Sequence, residues 1–421
     1  MKRALLCTLA SVSIPLTVAA QDLVAIRAAK VHTLDGAPLD NAVILIQDGR
    51  IEAIGKDVEV PWNAKVIDAK DKVVLPTWIL AHSEDGLGGG NNERMQNVPF
   101  LTVADALDPS SLAFEDGLRN GVAIANVMPG NSTLVAGRGL IARYVGRTVE
   151  EMTLRAESGL KLSLGGSEGN VVAKIRELRR VLEDAARTKA DFERKKEEWQ
   201  KEKDAGATKD EEFKEKIEET KQPLIDLIDG KLTGYLYVPG PAELAEVARI
   251  KDRFQLKLVL VLGPRVHRAA AMVKSLGYPV VLEDSALEYR ETDPETGEES
   301  LISPAKVLAE AGIEFAISLN GSGRGATHYP FWQLATLLRN GLSRDLALRS
   351  LTAVPANILG LADQVGTLKK GATANLQIMT GDPFLATSWV ETVIIEGQVV
   401  YERKNDARLS RLFEGKTEGT K

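Results

Sequence analysis

The two ends of this chain share one texture, and that limits what can lie between them. Residues 22–72 run in short stretches of alternating apolar and polar positions, VAIRAAKVHTL, NAVILIQDGRIEAIG and AKVIDAKDKVVL, divided by Asp-Gly and Gly-Lys turn signals. Side chains alternate faces along a strand, so the pattern predicts half-buried β-strands and hairpins. It returns near the C-terminus in ANLQIMTG and VETVIIEGQVVYE. Strands from both ends are expected to pair into one small β-sandwich, 22–72 with 365–403. Residues 73–364 are then left to form a body of their own.

Within that body apolar strand-like runs alternate with helical patterns, the signature of parallel β/α units. The runs fall at 73–81, 121–128, 134–142, 159–164, 232–238, 256–262, 279–283 and 313–319. Eight strands close a TIM-type (β/α)8 barrel, whose active sites form at the C-terminal ends of the strands. The alternation is interrupted at 171–222 by a charged helical stretch containing DFERKKEEWQKEKDAGATKDEEFKEKIEETKQP. Its few apolar residues, Phe192, Trp199, Phe213 and Ile217, are too sparse for a core helix. The stretch reads as two helices turning near Ala205-Gly206-Ala207 and closed by Pro223, either a solvated hairpin or an arm for self-association or a partner. Residues 288–300, EYRETDPETGEES, form a polar loop at the end of the seventh strand, placed to cover the barrel mouth.

At 421 residues with 44% hydrophobic content, the chain can bury a large core and is neither disordered nor fibrous. Lys2 and Arg3 precede an apolar run, Ala4 to Ala20, that ends in small residues before Gln21. This is the layout of a signal peptide over 1–20, which predicts export to the periplasm or medium; a retained anchor is the alternative, although the run is short for a membrane span. After cleavage no stable span remains. Cys7 is the only cysteine and lies in this segment, so the mature chain has no disulfide, Cys-zinc site or thiol nucleophile. Loss of Lys2 and Arg3 moves the net charge by two, from −6 to −8. That gives no reason to expect nucleic acid as a partner. Residues 404–421 read as a polar tail.

The segment VVLPTWILAHSEDG, 73–86, resembles the first barrel strand of the amidohydrolase superfamily, a PGLIDAHTH-like pattern. NAVILIQDGRIEAIG and VGTLKKGATANLQIMTGDP are similar to the opening and closing strands of that superfamily's composite domain, as in imidazolonepropionase-like members. The resemblance covers most of 22–403. It implies a metal-assisted hydrolase holding its ion with two His from strand one, often a modified Lys from strand four, one His each from strands five and six, and an Asp from strand eight.

This chain has four His in all, at 32, 82, 267 and 328, so the full set cannot be present. Carried over residue by residue, His82 and Glu84 stand at the strand-one positions and are the metal candidates. Tyr237 of GYLYVPG and Leu262 of KLVLVLGP replace the imidazoles of strands five and six, and Asn320 of FAISLNGSG replaces the Asp that is both ligand and proton shuttle. A neutral amide takes up no proton at neutral pH. Lys161 falls near the start of the fourth run, away from the ligand position. The mouth should gather His82, Glu84, Asp85, Glu283 and Asp284, with Tyr237, Ser322, Arg324 and His328 as ligand-binding candidates.

Two functions follow. One is a degenerate amidohydrolase-like protein with no cofactor that binds a small molecule at the barrel mouth, or a partner. The other is a hydrolase of C–N bonds in cyclic amides or dipeptide-like substrates, working through a divergent site for a divalent metal such as zinc.

Overall fold

The protein is described by a computed structural model covering residues 23–88, 95–165, 171–206, 212–319 and 329–414. The signal-like segment 1–20, and with it Cys7, lies outside the described residues, as do Asn320, Ser322, Arg324 and His328.

Both chain ends build one sheet. Strands β1 (Leu23–Val31), β2 (Leu39–Gln47), β3 (Arg50–Gly55) and β4 (Lys65–Pro76) come from the N-terminal side. The body contributes β5 (Trp78–Ser83), β6 (Val122–Val127), β7 (Val135–Arg143), β8 (Thr153–Ser163), β9 (Gly234–Val238), β10 (Leu258–Leu262), β11 (Val280–Leu282), the hairpin β12 (Tyr289–Thr292) with β13 (Glu299–Ile302), and β14 (Ala316–Ile317). The chain then returns through β15 (Leu376–Met379), β16 (Val390–Ile395) and β17 (Gln398–Glu402). The end sheet runs in the order β17-β16-β15-β4-β1-β2-β3. The two layers expected of a sandwich are thus one continuous sheet that curls back. Ile51 N donates to Ala372 O at 2.9 Å and Ala374 N to Gly49 O at 2.8 Å, bringing the β3 edge against the chain entering β15. The curl encloses a separate apolar core that includes Ile26, Ile44, Ile46, Val74, Leu376 and Ile394.

Eight of the body strands form a second sheet in the order β14-β11-β10-β9-β8-β7-β6-β5, with the β12–β13 hairpin outside it. The ring is joined by Ser318 Oγ, just past β14, donating to His82 O of β5 at 3.2 Å. Every residue of β5, β6 and β10 is buried, as expected of strands with a filled interior on one side and covering elements on the other. One expectation is corrected: not all units are parallel. β7 pairs antiparallel with both β6 and β8, whereas the other neighbouring strands pair parallel. The link from Val127 to Val135 is too short for a crossover helix, so the chain turns straight back.

The charged stretch is also rearranged. It begins with a single helix, Val171–Asp204, of 34 residues. Leu178, Val181, Leu182 and Ala185 are buried in the barrel core, so the first half serves as the covering helix after β8. Arg179 clamps it to helix Pro241–Phe254 through two bonds to Glu246, at 3.0 and 2.6 Å. The outer half projects. The expected second helix is not formed among the described residues, for 212–221 return largely without regular structure. So short a Glu/Lys-rich run lacks the length to hold a helix alone. Phe213 secures it against Phe192 and Trp199, at ring distances of 5.5 and 5.9 Å. Pro223 opens helix Gln222–Ile228 and does not close a hairpin arm. The start of the expected polar tail is helix Ala407–Glu414, preceded by Asp406, which accepts Arg119 Nε at 2.7 Å.

The two halves of the long helix should therefore differ in energetic weight. Leu182→Ala is expected to cost about 2–5 kcal/mol in urea unfolding, the range for an apolar truncation in a packed core. Phe192→Ala on the projecting half should change the same measurement by less than about 1 kcal/mol.

Candidate active site at the barrel mouth

His82, next to last in β5, has no exposed surface. Lys161 is equally buried and lies two residues before the end of β8. This corrects its expected place. The strand begins at Thr153, and its first residues are largely exposed and polar, so they do not read as barrel strand. With the true start, Lys161 belongs to the mouth end of the fourth barrel strand. Its Nζ stands 2.7 Å from His82 Nε2.

An ammonium can only donate, so Nε2 accepts and the imidazole proton sits on Nδ1. Nδ1 faces Glu283 Oε1, just past β11, at 3.7 Å. Burial and the neighbouring Lys161 charge hold the His82 pKa well below 6.5, so the ring is neutral. Burial also lowers Lys161 from 10.5 to about 8, against the upward pull of Glu283 and Glu84. At neutral pH the lysine keeps its charge.

Glu84 follows on the same strand end. Burial raises its carboxyl from 4.5 to about 7; Lys161 opposes the rise, and Glu283 and Asp85 add to it. Asp85, the next residue, accepts the hydroxyl of Tyr144 at 2.5 Å. The Tyr144 ring meets Phe114 of helix Leu112–Arg119 edge-on at 5.0 Å.

Tyr237, near the end of β9, extends its ring 6.0 Å from Lys161 Nζ. Burial, then the charges of Glu283 and Glu243, raise its phenol to about 12, so it stays a neutral donor. The ring fits because residue 165 is glycine. A Cβ there would lie 2.6 Å from Tyr237 Cε1 and 2.9 Å from Asn131 O. Leu262 is wholly buried in the apolar core and offers no ligand. Asn131, in the turn between β6 and β7, donates Nδ2 to Glu283 Oε1 at 3.2 Å, while its own carbonyl accepts the Ser163 hydroxyl. Asn131 Oδ1 is buried with no hydrogen-bond partner among the described residues.

Comparison with known proteins fits this architecture. Residues 281–400 match the sequence pattern of the Amidohydrolase family. An amidohydrolase from Thermotoga maritima MSB8 superposes with a TM-score of 0.77 over 90% of this chain and 100% of its own, at 24% identity. The fold is that of the amidohydrolases. An adenosine deaminase from Xanthomonas campestris with bound zinc aligns at a TM-score of 0.55 and 14% identity, over 93% of this chain and 96% of its own. A triazine hydrolase from Arthobacter aurescens aligns at 0.54 and 15%, over 94% and 98%. No curated protein matches in sequence.

A divalent ion of the kind the amidohydrolase fold implies does not fit the described residues. Zinc needs three or more convergent protein donors. Here His82 Nε2 is engaged by Lys161 Nζ, and Leu262 is wholly buried in the apolar core. Among the described residues no three His, Cys, Asp or Glu are placed to share an ion. His82 lies on β5 and Glu84 directly follows that strand, and His82 is paired with Lys161. Tyr237 is at the mouth too.

Sequence reasoning missed the central part of Lys161 and the contribution of Asn131. A lysine in the apolar run SGLKLSLG was the available signal. Asn131 had none, because a turn asparagine is ordinary.

The Glu84 carboxyl gives a test of this electrostatic account. Its folded-state pKa is above its unfolded value, so its stability contribution is full below pH 4.5 and is lost as pH rises through about 7. Glu84→Gln should remove a decline on the order of 2–3 kcal/mol across that window, read from urea midpoints at several pH values.

Proposed function

We propose that the chain is an exported amidohydrolase-fold protein that has given up its metal site and binds a small ligand at the barrel mouth. The observation carrying this reading is the 2.7 Å contact between Lys161 Nζ and His82 Nε2. It places a fixed positive charge on the nitrogen that would otherwise serve an ion. Around it, the Tyr237 hydroxyl, the buried Asn131 Oδ1, Glu84 and Glu283 supply donors and acceptors for a polar molecule.

A second reading keeps the hydrolytic chemistry of the fold, directed at a C–N bond in a cyclic amide or dipeptide-like substrate through a divergent site. It is favoured by Glu84, whose carboxyl titrates near neutrality beside Lys161, a setting suited to proton transfer.

One experiment separates them. Mature protein is incubated with a panel of cyclic amides and dipeptides, with and without added zinc or manganese, and both turnover and melting temperature are followed. A binder should be stabilised without turnover, by about 2.7 kcal/mol at a ligand concentration 100 times its Kd. Turnover above background that disappears in Glu84→Gln sinks the binding-only reading.

A further inference from the structure

Where the curled end sheet meets the start of the barrel there is a cavity of about 160 Å3. Its walls are Trp78 at the opening of β5, Met379 of β15, Val390 of β16 and Phe331 of helix Pro330–Arg339. Tyr329 and Trp389 also line it and are half-exposed, so the cavity opens to solvent between aromatic rings. Trp78 precedes His82 by four residues, about 13 Å along a strand, which separates this space from the barrel mouth.

The charge around the cavity is one-sided. Among the described residues two guanidiniums, Arg119 and Arg403, line it and no carboxylate does. Arg119 is already bonded to Asp406 and Asp116. Arg403, which opens the helical turn after β17, lies over the Trp389 ring with its guanidinium carbon 4.5 Å from the ring centre. It makes no side-chain hydrogen bond or ion pair among the described residues. Stacking uses the face of a guanidinium and leaves its N–H edge for a planar anion, which a carboxylate matches with two parallel bonds. Ser388, buried in the same lining, adds a hydroxyl that bonds nothing among the described residues. An apolar space of about 150 Å3 takes one benzene-sized ring, so the volume sets the size of the occupant as the charge sets its sign.

We propose that this cavity is a second ligand site, which takes a small carboxylate carrying one ring. The ring fills the apolar space beside Trp78 and Trp389, and the carboxylate is held by Arg403 with the Ser388 hydroxyl. The site binds and performs no reaction. Its occupancy is independent of what the barrel mouth binds.

The test is calorimetric titration of the full chain with benzoate, phenylacetate and the uncharged benzyl alcohol, for wild type, Arg403→Gln, Trp389→Leu and Tyr237→Phe. Wild type is expected to bind one benzoate or phenylacetate per chain with a Kd below about 1 mM, and benzyl alcohol at least about tenfold more weakly. Arg403→Gln should weaken the two carboxylates at least about tenfold and leave benzyl alcohol unchanged. Trp389→Leu should weaken all three probes, and Tyr237→Phe, altered only at the barrel mouth, none.

No carboxylate binding by wild type at 10-fold above that limit, about 10 mM, overturns the proposal. So does carboxylate binding that Arg403→Gln leaves intact, or that Tyr237→Phe removes. A dimer in sedimentation that Trp389→Leu splits and benzoate does not disturb overturns it too, since the aromatic rim would then belong to a second copy of the chain.

Discussion

A fully buried ammonium is costly unless acceptors and counter-charges surround it, and the interior of this barrel is organised around meeting that demand for Lys161. The path runs from Lys161 to His82, from His82 to Glu283, from Glu283 to Asn131, and from the Asn131 carbonyl to Ser163, back on the strand that carries Lys161. It therefore closes on itself after visiting β5, the end of β11 and the β6–β7 turn. Each member is tolerable inside the protein because the next is present. Neutral His82 is the one form of that ring that can accept from an ammonium, and burial enforces it.

The architecture delivers these groups through two junctions. β4 ends at Pro76 in the curled sheet, paired with Leu376, and the chain enters the barrel at once. Thr77 N donates to Asn375 O at 3.2 Å and Trp78 N to Gly121 O at 2.9 Å, so a single residue hands the strand from one sheet to the other. The position of His82 is thus tied to a sheet built from both chain ends. At the other junction, Ser318 bonds the His82 carbonyl and fixes the last strand to the first. Anchored from below and from the side, the imidazole has little freedom to turn away from Lys161.

Much of this was legible in the sequence, and the remainder was not for definable reasons. The apolar runs at 121–128, 232–238 and 256–262 became β6, β9 and β10 within a residue or two at each end, because a strand buried on both faces leaves a dense hydrophobic signature. Direction leaves no such mark, and the reversal of β7 could not be read. The first residues of β8 are solvent-facing, which concealed its start and so misplaced Lys161. Composition alone suggested two helices in 171–222, yet only the run anchored on the barrel by Leu178, Val181 and Leu182 formed a long one. At the site, His82, Glu84 and Tyr237 could be found by position along strand ends. The pairing of His82 with Lys161, 79 residues apart, is a product of barrel closure and belongs to no local pattern.

The reversed β7 bears on how this molecule could change over time. A conventional unit ends each strand in an independent loop, free to lengthen and diversify while the scaffold stays put. Here one sector of the rim is the short connection 128–134, whose Asn131 is already committed to Glu283 and Ser163. Insertions there would disturb the interior and not merely the rim. New specificities in descendants of this chain would have to be written into the other sectors, with the reversed strand acting as a fixed wall.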